Sequence, residues 1–173
     1  MKVYFAPRLV FLSIVVILIS ISNNVKAQKL VFLFGHALYA SPSGSSFKDK
    51  YKGGIGAEAG IGVGLLGKTF FTGTVGYSDF VHSSSNSRSN LVYIPFKVGV
   101  RYYLFAKILF IHGDLGIGKI STNTPDYSAS RFSGDIGAGV KLAAFEVLAD
   151  YDGFTGTNAG SWIGIKAGFS FGL

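Results

Sequence analysis

The chain has no cysteine, only four prolines and no run of lysines and arginines, and each absence narrows its identity. Without cysteine, neither a disulfide framework nor a thiolate metal site is available, so a compact fold must be closed by another device. With no basic run, nothing resembles the electrostatic footprint of a nucleic-acid-binding protein. Charged residues make up only 14% of the chain, yet beyond the first segment no apolar run approaches the length of a membrane-spanning helix. What is abundant is glycine, 24 residues without a three-residue period, together with 16 phenylalanines and 9 tyrosines. That aromatic content argues against disorder, and the missing period excludes collagen.

The N-terminus reads as a secretory signal peptide. Lys2 and Arg8 precede a segment, Leu9 to Ile21, that is apolar apart from two serines, and Val25-Lys26-Ala27 supplies a cleavage site. The apolar segment is shorter than the roughly 18 residues that a helix needs to span a bilayer. Cleavage after Ala27 is expected to leave a single domain, residues 28–173, whose formal charge falls from +7 to +4 as Lys2, Arg8 and Lys26 are removed.

The remaining chain alternates. Ile163, Ile165, Ala167, Phe169, Phe171 and Leu173 share one parity, against Gly164, Lys166, Gly168, Ser170 and Gly172 on the other. A period of two denotes a β-strand, and small or charged residues opposite an apolar face suggest lipid outside and a narrow polar interior. The same division runs through Gly53–Gly64, Thr69–Phe80, Asn90–Leu104, Ile108–Lys119, Arg131–Leu142 and Phe145–Gly153. Leu30–Ala40 is apolar on both parities, and His36 faces inward if Val31, Leu33, Ala37 and Tyr39 face out. The expected fold is therefore all-β, an eight-stranded antiparallel up-and-down transmembrane barrel following a signal peptide. Tyr39, Phe71, Tyr77, Tyr102, Phe145, Tyr151, Trp162 and Phe171 are placed in its lipid-facing aromatic girdle.

Connection lengths support this reading. Ser41–Lys52, Val81–Ser89, Ile120–Ser130 and Phe154–Gly160 read as long polar loops, whereas Leu65–Lys68, Phe105–Lys107 and Ala143–Ala144 read as short turns. Outer-membrane barrels combine brief periplasmic turns with longer external loops, and an even strand number returns both termini to one side. A soluble barrel would invert the parity, with charges outside.

The inward parity collects the candidate site. Glu58, Lys97, Asp114, Asp135, Asp150 and Lys166 fall near mid-height, while Arg101, Lys141 and Glu146 lie nearer the periplasmic end, and His112 joins them as a packing residue. Opposite charges in a poorly solvated interior should pair. The local excess of acid requires water, His36, His112 or a protonated carboxylate. A side-chain-filled lumen is the first reading and a narrow ion or solute channel the second.

Other chemistries fare worse. His82-Ser83-Ser84 with Asp79 offers a lipid hydrolase, but serine saturates that loop. His112 has no second histidine or cysteine at metal-ligand spacing, and no helix follows the Gly-x-Gly runs at Gly60–Gly64 and Gly116–Gly118. No catalytic, cofactor or metal residues are assigned, and no enzyme activity is expected.

With its signal peptide, alternating strands and the segment Ile94-Pro95-Phe96-Lys97-Val98-Gly99-Val100-Arg101-Tyr102-Tyr103, the chain resembles the small OmpA/OmpX-like outer-membrane β-barrels of the porin superfamily in Gram-negative bacteria. The resemblance covers nearly all of residues 28–173. It implies a stand-alone single barrel in the cell outer membrane, monomeric, surrounded by outer-membrane lipid and lipopolysaccharide, with four variable external loops. It also implies that the outer-membrane assembly machinery reads Trp162 to Leu173 as its signal. A structural or surface-interaction role follows as the expected function, without nucleic acid or cofactor.

Overall fold

In the computed structural model the described residues are 31–83, 90–105, 107–123, 126–157 and 159–172; the expected signal peptide, residues 1–27, lies outside them. Eight strands follow in chain order: β1 (Val31–Ser43), β2 (Tyr51–Leu66), β3 (Thr69–His82), β4 (Leu91–Phe105), β5 (Leu109–Asn123), β6 (Asp126–Leu142), β7 (Phe145–Phe154) and β8 (Gly160–Gly172). They form one closed antiparallel barrel in which each strand pairs with its sequence neighbours. Closure is made by β1 against β8, in register from Phe32↔Gly172 to Ser43↔Ser161. Both ends of the described barrel, Val31 and Gly172, lie at the end that carries the short turns. At that turn end, Gly67, Lys107 and Ala143 adopt left-handed backbone geometry, with φ of 57°, 60° and 56°.

Strand parity sets the two faces. Ile55, Phe96 and Ile136 project outward with 67%, 64% and 68% exposure, while Lys97 between its exposed neighbours retains 3%. In β1, Leu33 and Tyr39 face out and His36 faces in. This apolar exterior is stable against hydrocarbon, and closure leaves no unpaired strand edge facing it. No helix of the described residues is long and apolar enough to cross a membrane; the crossing is made by strands.

The interior is stacked in three layers. At the turn end Phe32, Phe34, Phe70, Tyr103, Phe110 and Leu148 form an apolar floor. At the loop end Ala40, Phe47, Tyr51, Phe80, Leu91, Tyr93, Ile120, Phe154 and Trp162 form a ceiling. The charged residues lie between. Glycines make room for the bulky side chains: Phe32 faces Gly62 and Phe34 faces Gly60 across the β1–β2 pair. A Cβ on either glycine would land inside the opposing ring.

Four expectations are corrected at the loop end. Trp162 belongs to the ceiling and not to the lipid girdle: it shares the inward parity of Gly164 and Lys166 and is fully buried. The expected loop Ile120–Ser130 is mostly sheet, because β5 and β6 remain paired as far as Asn123↔Asp126. Alternating polar residues there satisfy the backbone ladder just as apolar ones do, so polarity alone was a poor loop signal. The expected loops Ser41–Lys52 and Phe154–Gly160 also lose residues to strands at both ends. Within the first, a short helix, α1 (Ser45–Lys48), buries Phe47 in the ceiling. Its ring lies 4.8 Å from Tyr51, 5.2 Å from Phe80 and 6.0 Å from both Phe154 and Trp162.

Gly60→Ala is expected to destabilise the barrel by about 1–3 kcal/mol through overpacking against Phe34. Gly73→Ala should be near neutral, since the nearest atom to its Cβ would be 3.9 Å away. Urea unfolding of the vesicle-inserted protein, followed by the fluorescence of its single tryptophan, measures both; equal losses would contradict the packing argument.

Candidate functional site: the charged layer of the lumen

Two hydrogen-bonded chains of side chains cross the middle of the barrel. In the first, Lys97 from β4 donates to Asp152 on β7 at 2.5 Å and to Asp135 on β6 at 2.6 Å. Asp135 Oδ1 lies 3.3 Å from His112 Nδ1, which is 2.9 Å from Asp114 Oδ2, both on β5. Thr72 on β3 completes the line by donating to Asp114 Oδ1 at 2.7 Å.

The second chain begins at Asp150 on β7, 2.5 Å from Lys166 Nζ on β8. Lys166 also donates to Glu58 Oε2 on β2 at 2.7 Å. His36 then lies between two carboxylates, its Nδ1 2.9 Å from Glu58 and its Nε2 3.1 Å from Glu146. Arg101 places one Nη1 at 3.0 Å from both oxygens of Glu146, and Ser170 donates to the same carboxylate at 2.6 Å. Lys141 donates to Ser170 and stands 3.7 Å from Glu146.

Aromatic layers confine these charges. The Arg101 guanidinium lies over the floor, 4.2 Å from the Phe110 ring centre and 5.0 Å from those of Phe32 and Phe34. Lys97 Nζ approaches the Tyr93 ring of the ceiling at 5.9 Å. Such contacts suit a desolvated cation, because the ring face carries partial negative charge. Between the chains, a cavity of about 10 Å³ touches Glu58, Thr72, Arg101, Asp114 and Lys166. That volume is at the lower bound for a single water molecule.

The structure thus brings Glu58, Lys97, Arg101, His112, Asp114, Asp135, Lys141, Glu146, Asp150 and Lys166 into one interior layer. It adds Asp152, which stands on the inward parity of β7 but was absent from the candidate set, and it gives bridging positions to His36 and Thr72. Asp152 could have been found from the alternation Glu146, Leu148, Asp150, Asp152 alone. Thr72 carries no charge to mark it.

The hydrolase constellation is not assembled in the described residues. Asp79 and His82 project from opposite faces of β3, Asp79 accepts from Asn90 Nδ2 at 3.4 Å, and the His82 ring meets Tyr51 at 5.6 Å. Ser84 lies outside the described residues.

Lys166→Met would leave Glu58 and Asp150 buried without their shared cation, a loss expected to be about 3–5 kcal/mol. Lys141→Met should lose less, since that side chain is partly exposed and its carboxylate keeps Arg101 and Ser170. Unfolding midpoints in urea rank the two; a larger loss for Lys141→Met would overturn the assignment of Lys166 as the central cation.

No family model and no curated protein matches the chain. Solved structures do. Neisserial surface protein A is similar with a TM-score of 0.57 at 13% identity, covering 86% of this chain and 100% of that one. The N-terminal β-barrel domain of Pseudomonas aeruginosa OprF gives 0.54 at 16% identity, covering 81% and 97%. Ail, the attachment invasion locus protein of Yersinia pestis, solved with the heparin analogue sucrose octasulfate, gives 0.52 at 15% identity, covering 82% and 96%. What the chain shares with all three is a fold, that of the small eight-stranded outer-membrane β-barrels.

Proposed function

We propose that the protein is an integral outer-membrane barrel with a structural or surface-interaction role, one that holds its external loops on a closed, non-conducting and non-catalytic scaffold. The observation that carries this reading is the filled lumen. Each mouth ends on aromatic side chains: a depression of about 370 Å³ at the turn end reaches Phe32, Phe70 and Tyr103. One of about 280 Å³ at the loop end reaches Phe47, Tyr51, Leu91 and Ile120. Between those layers the charged side chains are paired at hydrogen-bonding distance and leave little room for water. An ion crossing the whole barrel would have to break the buried pairs of both chains and pass the aromatic layers without its hydration shell, both strongly unfavourable.

In this reading the loop end faces the outside of the cell, lipopolysaccharide and phospholipid surround the apolar wall, and the assembly machinery reads the strand from Trp162. Of that strand's two faces, Ile163, Ile165, Phe169 and Phe171 remain available to it, whereas Trp162 is enclosed. Loops held at the mouth would be within reach of an external partner, and the likeness to Ail, a protein solved with the heparin analogue sucrose octasulfate, is compatible with this reading.

Purified protein in a planar bilayer is expected to give no stable conductance steps. Stable openings of the folded protein would overturn the closed reading. Folding is checked separately by the altered gel mobility of unboiled protein, which barrels show when they resist detergent.

A further inference from the structure

The first side-chain chain is short of positive charge. It holds three carboxylates, Asp114, Asp135 and Asp152, against the single lysine Lys97. The second balances Glu58, Glu146 and Asp150 with Lys166, Arg101 and Lys141 before His36 is counted. A protonated His112 would return only one of the two missing charges. Asp114 in particular has no lysine or arginine partner among the described residues; its contacts are His112 and the Thr72 hydroxyl.

We propose that His112, Asp114 and Asp135 form a binding site for one divalent transition-metal cation of borderline softness, such as zinc, inside the barrel. One donor atom from each residue lies within 4.8 Å of the others. His112 Nδ1 stands 2.9 Å from Asp114 Oδ2 and 3.3 Å from Asp135 Oδ1. Ligands at about 2.1 Å from one tetrahedral metal are separated by about 3.4 Å, and in octahedral geometry by about 3.0 Å, so these spacings already suit a shared ion. Nδ1 is the ring atom that faces both carboxylates, whereas Nε2 lies on the Gly137 side, buried and without a hydrogen-bond partner.

A separate observation concerns Asp135. Its Oδ1 is buried, faces His112 Nδ1 and makes no hydrogen bond, while its Oδ2 is held by Lys97. A carboxylate oxygen left unsatisfied in such surroundings is costly, and a metal ion would satisfy it. Thr72 and Lys97 would then orient the two carboxylates from behind, as outer partners of metal ligands do. The adjoining cavity touches Thr72, His112, Asp114 and Asp135, leaving space for the ion to settle with small side-chain shifts. Imidazole with carboxylates favours zinc and its neighbours over calcium or magnesium, which prefer oxygen alone.

The test uses tag-free full-length protein refolded into lipid vesicles with zinc, desalted, and assayed by elemental analysis and by unfolding midpoint. Wild type should retain one zinc per chain and unfold later than protein refolded with chelator. Asp114→Asn and His112→Asn should each weaken retention by more than about tenfold. His36→Gln, in the other chain, should retain zinc as wild type does. Cobalt(II) in place of zinc should give the visible absorption of a nitrogen- and oxygen-ligated ion in wild type, a readout that does not depend on any variant folding. The proposal is overturned if wild type holds no zinc, if Asp114→Asn and His112→Asn hold as much as wild type, or if His36→Gln loses it equally. Conductance does not enter this experiment, so its outcome is independent of whether the lumen is closed to ions.

Discussion

Closure of β1 on β8 is the constraint from which the rest of the structure follows. In hydrocarbon an open sheet would expose two edges of unpaired amides and carbonyls, with no water to satisfy them. The ring of eight strands removes both edges, and in doing so it fixes the interior width at a size that side chains must fill. From that moment every inward position is a packing problem. Several bulky residues depend on a glycine in the neighbouring strand: Phe32 and Phe34 lie directly opposite Gly62 and Gly60, and Tyr93 covers Gly118 diagonally, two residues from its own partner Ile120. Part of the abundance of glycine is thus the complement of the inward aromatic rings; at Gly99 and Gly164 it makes room for Asp114 and Asp150 instead.

The same confinement explains the layering. Aromatic floor and ceiling exclude water from the middle of the barrel, which strengthens every ion pair there and raises the penalty for any charge left alone. Lys166 between Glu58 and Asp150, and Lys97 between Asp135 and Asp152, are answers to that penalty. Buried pairs of this kind add little net stability compared with an apolar core. Their stronger effect is on register, because sliding a strand by one residue would send Lys166 into lipid and Ile165 into the lumen. Charge and parity therefore specify the same arrangement of strands.

Much of this was legible in the sequence because a period of two is a direct consequence of strand geometry. Inward and outward residues of β2 to β7 could be assigned from parity, and the ambiguous β1 resolves with His36 inside. What parity could not supply was partner identity. That His36 would lie between Glu58 and Glu146 depends on residues 22 and 110 positions away, brought together only by closure. The strand ends were misjudged for a different reason: residues such as Ser121, Thr122 and Ser128 look like loop, but the β5–β6 ladder needs only their backbones. Trp162 was assigned by its type as an interfacial aromatic, although its parity already placed it with Lys166.

Phe47 shows how the closed interior and the surface are connected. It sits in a connection that is otherwise polar, so neither alternation nor composition singles it out, yet its ring is buried against four aromatic residues from β2, β3, β7 and β8. The one-turn helix around it is too short to be stable alone. Its order comes from that single anchor, together with the bonds from the Lys48 and Asp49 amides to the Gly44 and Ser45 carbonyls. A loop fastened in this way presents its exposed residues, Lys48, Asp49 and Lys50 among them, in a fixed geometry. The aromatic ceiling therefore does two things with one set of contacts: it fills the loop end of the lumen, and it stiffens the surface beside the mouth.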